Sequence, residues 1–247
     1  MSFDQHVEIF GVAYAATSRT AAHASRHRLT RTPWDAKPSP TEIPMNSSAI
    51  DIPGYTYGTP EVALSPATLA DLERLKVSTG FTKEDEYYLH MAGVVLDAQV
   101  ETIVNHWRAN IIAGIPHLAK HSRNLDGTPA PDYLARSNQR FQQWIRDTCL
   151  RPYDQDWLNY QHEIALRHTS LKKNQTDGVT STPYVPYGDI IAFVAVLNET
   201  MHSYLAANGH DAAAVSGMHK AWCKSMHIQI ALWAGAYMDT EAAGKES

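Results

Sequence analysis

The chain has 247 residues, 44% of them hydrophobic, and a net charge of −5, so one domain with a sizeable core is within reach. A net negative charge argues against nucleic-acid binding, which asks for a basic face, and no apolar run reaches the roughly 20 residues of a membrane span. Two cysteines, Cys149 and Cys223, are too few for a disulfide framework or a structural zinc site, and no apolar stretch followed by a cleavage site opens the chain. A reducing cytoplasm is the expected location. Cys149 lies beside a helical stripe and reads as a small core residue.

Residues 1–50 carry Arg19, Arg26, Arg28 and Arg31 among small polar residues, followed by Pro33, Pro38, Pro40 and Pro44. The prolines block a persistent helix and there is little apolar material, so a disordered N-terminal extension is expected. A basic docking or targeting arm, and translation starting at Met45, are the other readings. Beyond Asp51 the pattern is helical. Ser65 and Pro66 read as N-cap and first position of a helix with Leu69, Leu72 and Leu75 on one side. Thr82 with Asp85 makes a capping box that opens one long helix through Val94, Val100, Ile103, Val104, Trp107 and Ile111, ended by Gly114 and Pro116. After the Asp126-Gly127 turn, Leu134, Asn138, Phe141, Ile145 and Thr148 form the next stripe.

The segment 157–171 sets Trp157, Tyr160, Ile164, His168 and Leu171 on one helical face, with Arg167, Lys172 and Lys173 near its negative C-terminal end. His162 is six residues, or about 600°, from His168, so the two cannot chelate one ion as an H-E-x-x-H helix does. One neutral imidazole directed at a core is left. It suits a haem iron, and it equally suits an ordinary core histidine. The connection 175–188 has no periodicity. Two helices finish the chain, one with Ile190, Phe193 or Val194, Leu197, Met201 and Tyr204, the other with Val215, Met218, Trp222, Met226, Ile230 and Trp233. No strand alternation is visible, which makes the chain all-α.

Around His168, the run Tyr153-Asp154-Gln155, Trp157-Leu158, Tyr160-Gln161, Glu163-Ile164, Leu166-Arg167-His168 and Lys172-Lys173-Asn174 resembles the F-helix region of the protoglobins, single-domain haem globins related to globin-coupled sensors. Four further stretches agree in order: Ile52-Pro53-Gly54-Tyr55-Thr56-Tyr57-Gly58, Phe81-Thr82-Lys83-Glu84-Asp85-Glu86, Asp126-Gly127-Thr128-Pro129 and Ala231-Leu232-Trp233. The resemblance covers about 52–237. It implies a globin-like helical sandwich with an extra N-terminal helix over 51–240, a tail at 241–247, and haem b as cofactor with His168 as its iron ligand. It further implies reversible binding of O₂, CO or NO, as a gas sensor or carrier, and a homodimer through the last two helices. The apolar excess of the C-terminal helix, with Trp222, Met226, Trp233 and Tyr237, agrees with pairing.

Phe141 and Phe193 match positions where protoglobins place rings over the distal haem face, and each also reads as ordinary core. Tyr160 is placed to flank the porphyrin edge or a propionate. Arg140 and Arg167 are candidate propionate partners because guanidinium pairs well with carboxylate, or else solvated charges. The chain departs from the family at Trp107-Arg108, where protoglobins resemble each other in a Trp-Tyr pair. Trp107 is expected as a lid over the distal face. Arg108 either faces the pocket or points to solvent. The spacing from there to Pro116-His117-Leu118 is one residue longer than in the family. A haem enzyme, such as a nitric oxide dioxygenase or a peroxidase, is the alternative function. Its distal acid–base group would have to be Arg108, His106 or His117, and no flavin or nicotinamide domain accompanies it. A sensor without a fused effector needs a separate signalling partner.

Overall fold

Thr68, three residues after the expected cap, starts the first helix, α1 (Leu69–Thr79). Its Oγ1 accepts from the Asp71 amide at 3.2 Å and its own amide donates to Asp71 Oδ2 at 3.0 Å. This reciprocal box satisfies two orphan donors, whereas Ser65 caps only a local turn by accepting from the Ala67 amide. Gly80, at φ +63°, ends α1 in the left-handed conformation. The computed structural model describes residues 52–245, with side chains as far as Met238, so the extension expected over 1–50 and Met45 lie outside the described residues.

The helix expected to run unbroken from Thr82 to Ile111 is three pieces. α2 (Lys83–Asp97) does begin at the Thr82–Asp85 box, where Asp85 Oδ2 accepts from the Thr82 amide at 2.7 Å. It stops before Gln99, whose side-chain amide donates to Val95 O and, across the fold, to Tyr204 O. α3 (Val100–Asn105) follows and passes into a π-helical turn, His106–Ile111, then a 3₁₀ turn, Ile112–Gly114. A π turn takes one residue more per turn than an α turn. An extra residue of this kind is what a spacing between Trp107 and Pro116 one residue longer than in the family would require. Pro116 opens the short α4 (Pro116–Ala119) rather than only ending its predecessor.

α5 (Pro131–Leu150) follows the Asp126-Gly127 turn, and α6 (Gln155–Leu166) is capped by Asp154, which accepts from the Trp157 amide at 3.0 Å. α6 is shorter than the stripe suggested. His168 lies two residues past its end, in a tight turn where its amide donates to Ala165 O, and Leu171 is 50% exposed rather than on the apolar face. α7 (Tyr187–Ala206) and α8 (Ala212–Lys245) complete the fold, α8 continuing through most of the expected tail.

α8 is the central element. α1, α2, α6 and α7 all pack on it, and α2 and α3 pack on α5. Trp107, Trp157, Trp222, Met201, Met218 and Met226 are fully buried between these layers. Gly93 lets α2 approach α5 closely, because a Cβ there would stand 2.9 Å from the Cys149 Cβ and 2.4 Å from Leu150. Cys149 is the small buried residue its stripe implied. No strand occurs among the described residues, and the all-helical architecture is that of a globin fold.

Candidate functional site

Between α5, α6, α7 and the π turn lies a cavity with about 250 Å³ open to the centre of a water molecule. One water needs about 10–15 Å³ on this measure, so the space is built for something far larger. His168, Tyr160, Phe141, Phe193, Arg108, Arg140 and Arg167 all line it, drawn from segments up to 85 residues apart.

His168 is fixed by the end of α6, the helix it follows. The helix end leaves Ile164 O without an intrahelical partner, and His168 Nδ1 sits 2.8 Å from it. Nδ1 is thereby the protonated nitrogen, and Nε2 keeps its lone pair. The ring stacks on Trp233 at 6.4 Å between centroids, 19° from parallel. Burial, with the charges of Arg108, Lys173 and Arg167, holds its pKa below the usual range, so it is neutral at pH 7. Among the described residues no three His, Cys, Asp or Glu side chains are grouped to hold a metal ion. His168 therefore fits a metal that brings its remaining ligands with it. His162 is not a lining residue.

The aromatic wall differs in part from expectation. Phe141 and Phe193 face the cavity, but Trp107 does not. It packs behind Phe141 at 5.2 Å between ring centroids and donates its indole N–H to Thr200 Oγ1 at 2.8 Å, so it supports the wall rather than covering the space. Tyr160 is held edge-on by Tyr55 and Tyr57 of the segment before α1, at 5.3 and 5.4 Å. His106 is turned to Tyr204 OH, and neither it nor His117 lines the cavity.

Arg140 and Arg167, expected as propionate partners, already have carboxylates. Arg167 Nε donates to Glu163 at 2.9 Å, with Nη1 on Gly54 O and Nη2 on Thr56 Oγ1. Burial works against the Glu163 charge, but donation from Lys172 and Arg167 outweighs it and holds the carboxyl below its usual pKa. Arg140 donates to Asp177 and to Pro53 O, and Asp177 also accepts from Arg136 Nε at 3.0 Å. Arg108, by contrast, faces the cavity and not solvent, with its guanidinium 5.3 Å above Phe141.

Sequence reasoning missed Lys173 and His121, which also line the cavity. Lys173 was read as one more cation at a helix end. It is buried, with Nζ donating to His121 O and Ser181 Oγ, and burial together with the Arg108 charge brings its pKa down to about 8. His121 is bound through Nδ1 to Thr182 Oγ1 at 2.7 Å, and burial, then Lys173, lowers its pKa to about 4.

These imidazoles predict acid lability. Between pH 6.5 and about 4 the unfolded chain takes up a proton at His121 that the folded chain refuses. Stability is therefore complete above pH 6.5 and falls as pH drops toward 4, and His168 adds a loss of the same sign. With solvent screening the His121 share is about 1–2 kcal/mol. Urea unfolding at pH 7 and about pH 4.5 should show a smaller loss for His121→Gln than for the parent. Equal losses would contradict the assignment.

Comparison with curated proteins finds no match. The protoglobin family model matches residues 68–243, spanning α1 to α8 and every residue that lines the cavity. A match over most of the chain, on an all-helical globin fold, settles its kinship: the chain belongs to the protoglobin family of globin-type haem-binding proteins.

Proposed function

We propose that the chain holds haem b in this cavity through His168 and binds diatomic gases there, as a gas sensor or carrier in the cytoplasm. The observation that carries this reading is His168 itself, a neutral imidazole on a large, mostly apolar cavity, with Nδ1 tied to Ile164 O and Nε2 available. The bound iron supplies the coordination position at which O₂, CO or NO binds. The chain's own residues do the rest. Ile164 O and Trp233 set the plane of the imidazole, and Phe141 and Phe193, which line the cavity, would help keep water from a bound macrocycle. Lys173, a buried cation without a carboxylate, suits a haem carboxylate better than Arg140 or Arg167, whose charges are already met.

Absorption spectra of the purified chain reconstituted with haemin test this directly. A Soret band that shifts on reduction and again with CO is expected; absence of such a band would refute it. For the haem-enzyme alternative, His106 and His117 stand away from the cavity, and Arg108, which lines it, keeps its proton at any accessible pH. A sensor role passes its output to a separate, unidentified signalling partner. The reading includes a homodimer through α7 and α8; Trp222, Met226 and Trp233, whose apolar bulk suggested it, are buried within the protomer, and the exposed large apolar side chains on these helices are Ile191 and Met238. Light scattering should give roughly 55 kDa, twice the 27.5 kDa of one chain, and a single-chain mass at micromolar concentration would contradict pairing.

A further inference from the structure

Arg108 is a charge without a counter-ion. Its Nη1 donates to Ser122 Oγ at 3.2 Å and its Nη2 to Ser137 Oγ at 2.8 Å, both neutral hydroxyls. Its Nε is buried and has no hydrogen-bond partner. No carboxylate pairs with it among the described residues: of the two that line the cavity, Asp177 is engaged by Arg136 and Arg140, and Asp189 makes no ion pair with Arg108. Lys173, on the same cavity, also rests on neutral partners only. A half-buried guanidinium and a buried ammonium on one cavity, neither in an ion pair among the described residues, are costly to fold, and such charges are retained where something else supplies the missing counter-charge.

The surroundings of Arg108 suit a small anion. Ser122 and Ser137 each accept from the guanidinium and have a hydroxyl proton of their own to donate. Phe141, under the guanidinium plane, keeps that face dry, which strengthens attraction to an anion. Arg108 belongs to the π turn His106–Ile111 and lines the cavity that His168 also lines.

We propose that Arg108, Ser122 and Ser137 form an anion subsite in the cavity, selecting small monovalent anions of the azide, cyanide and nitrite class over neutral diatomic ligands. The location of the anion's other end rests on the haem reading. The competing source of the same charge is a carboxylate of the haem itself.

Ferric, haem-loaded chain is titrated with azide at fixed ionic strength, and ferrous chain with CO, for the parent, Arg108→Leu and Arg108→Lys. Loss of a charge-assisted contact should weaken azide about 10- to 100-fold in the leucine variant, with the lysine variant between. CO carries no charge, and its affinity should move less than about threefold. Equal azide affinity in parent and leucine variant would overturn the proposal. So would a proportional loss of azide and CO, which marks a structural role, or lost haem retention with unchanged azide affinity, which marks a haem-carboxylate anchor. If the parent takes up no haem, the haem reading alone has failed, and calorimetry with azide on the same full-length proteins decides. Binding weakened about tenfold by Arg108→Leu sustains the subsite. No binding overturns it.

Discussion

His168→Ala is expected to leave the purified chain without haem, and added imidazole is expected to restore it. The argument is geometric. His168 is the cavity-lining imidazole whose Nδ1 is held by a carbonyl of α6, the helix it follows, and whose ring plane is set by Trp233. Disturbing groups that merely orient a ligand costs about 10–100-fold in metal affinity, so deleting the ligand should cost more than the upper end of that range. The truncation leaves a hole of imidazole shape beside the metal position, which free imidazole can fill without moving the backbone. A purely structural histidine would show no such rescue. His162→Ala should behave as the parent, because His162 does not line the cavity. Normal haem content and an unchanged Soret band in His168→Ala would sink the assignment.

Asp177→Ala is expected to be the most damaging change outside the core. The Asp177 side chain is 3% exposed and accepts from Arg136 and from both terminal nitrogens of Arg140. Without it, two guanidiniums lose their counter-charge on a wall that already carries Arg108 and Lys173 uncompensated. Breaking a buried pair from one side costs about 3–5 kcal/mol. Arg136 is more open to water and can relax outward, which favours the lower end. For a chain of this size, about 3 kcal/mol corresponds to a fall in Tm of roughly 6–12 °C. Removing Arg140 as well should recover part of the loss, since the two side chains are coupled. A fall in Tm below about 2 °C in the single variant would contradict this account.

The sequence made much of this legible. Spacing on apolar stripes delivered Phe141, Phe193, Tyr160 and His168 to one cavity, because a period of 3.6 fixes which side chains share a face. It failed where remote partners decide. Leu171 kept the spacing of its stripe although the helix had already ended at Leu166, where Thr169 takes Leu166 O and Lys172 turns back to Glu163. The break at Gln99 is invisible to periodicity, since Tyr204 O, 105 residues away, helps to stabilise it. The Glu163–Arg167 pair was legible as an i, i+4 spacing, whereas Pro53 O, Gly54 O and Thr56, the other partners of Arg140 and Arg167, lie more than 80 residues upstream and leave no mark on the local pattern. Lys173 and His121 lie in irregular segments, where no period exists to read.

The π turn His106–Ile111 carries a consequence for how this cavity can evolve. A helix advances about 100° per residue, so one inserted or deleted residue rotates everything after it by that angle. The turn absorbs a residue as a local widening and leaves the rest of the helical framework in phase. Which side chain is presented to the ligand then depends on an angular setting as well as on residue type. A single-codon insertion or deletion in this stretch resets the chemistry of the cavity at one stroke, while His168, in the turn after α6, keeps its place.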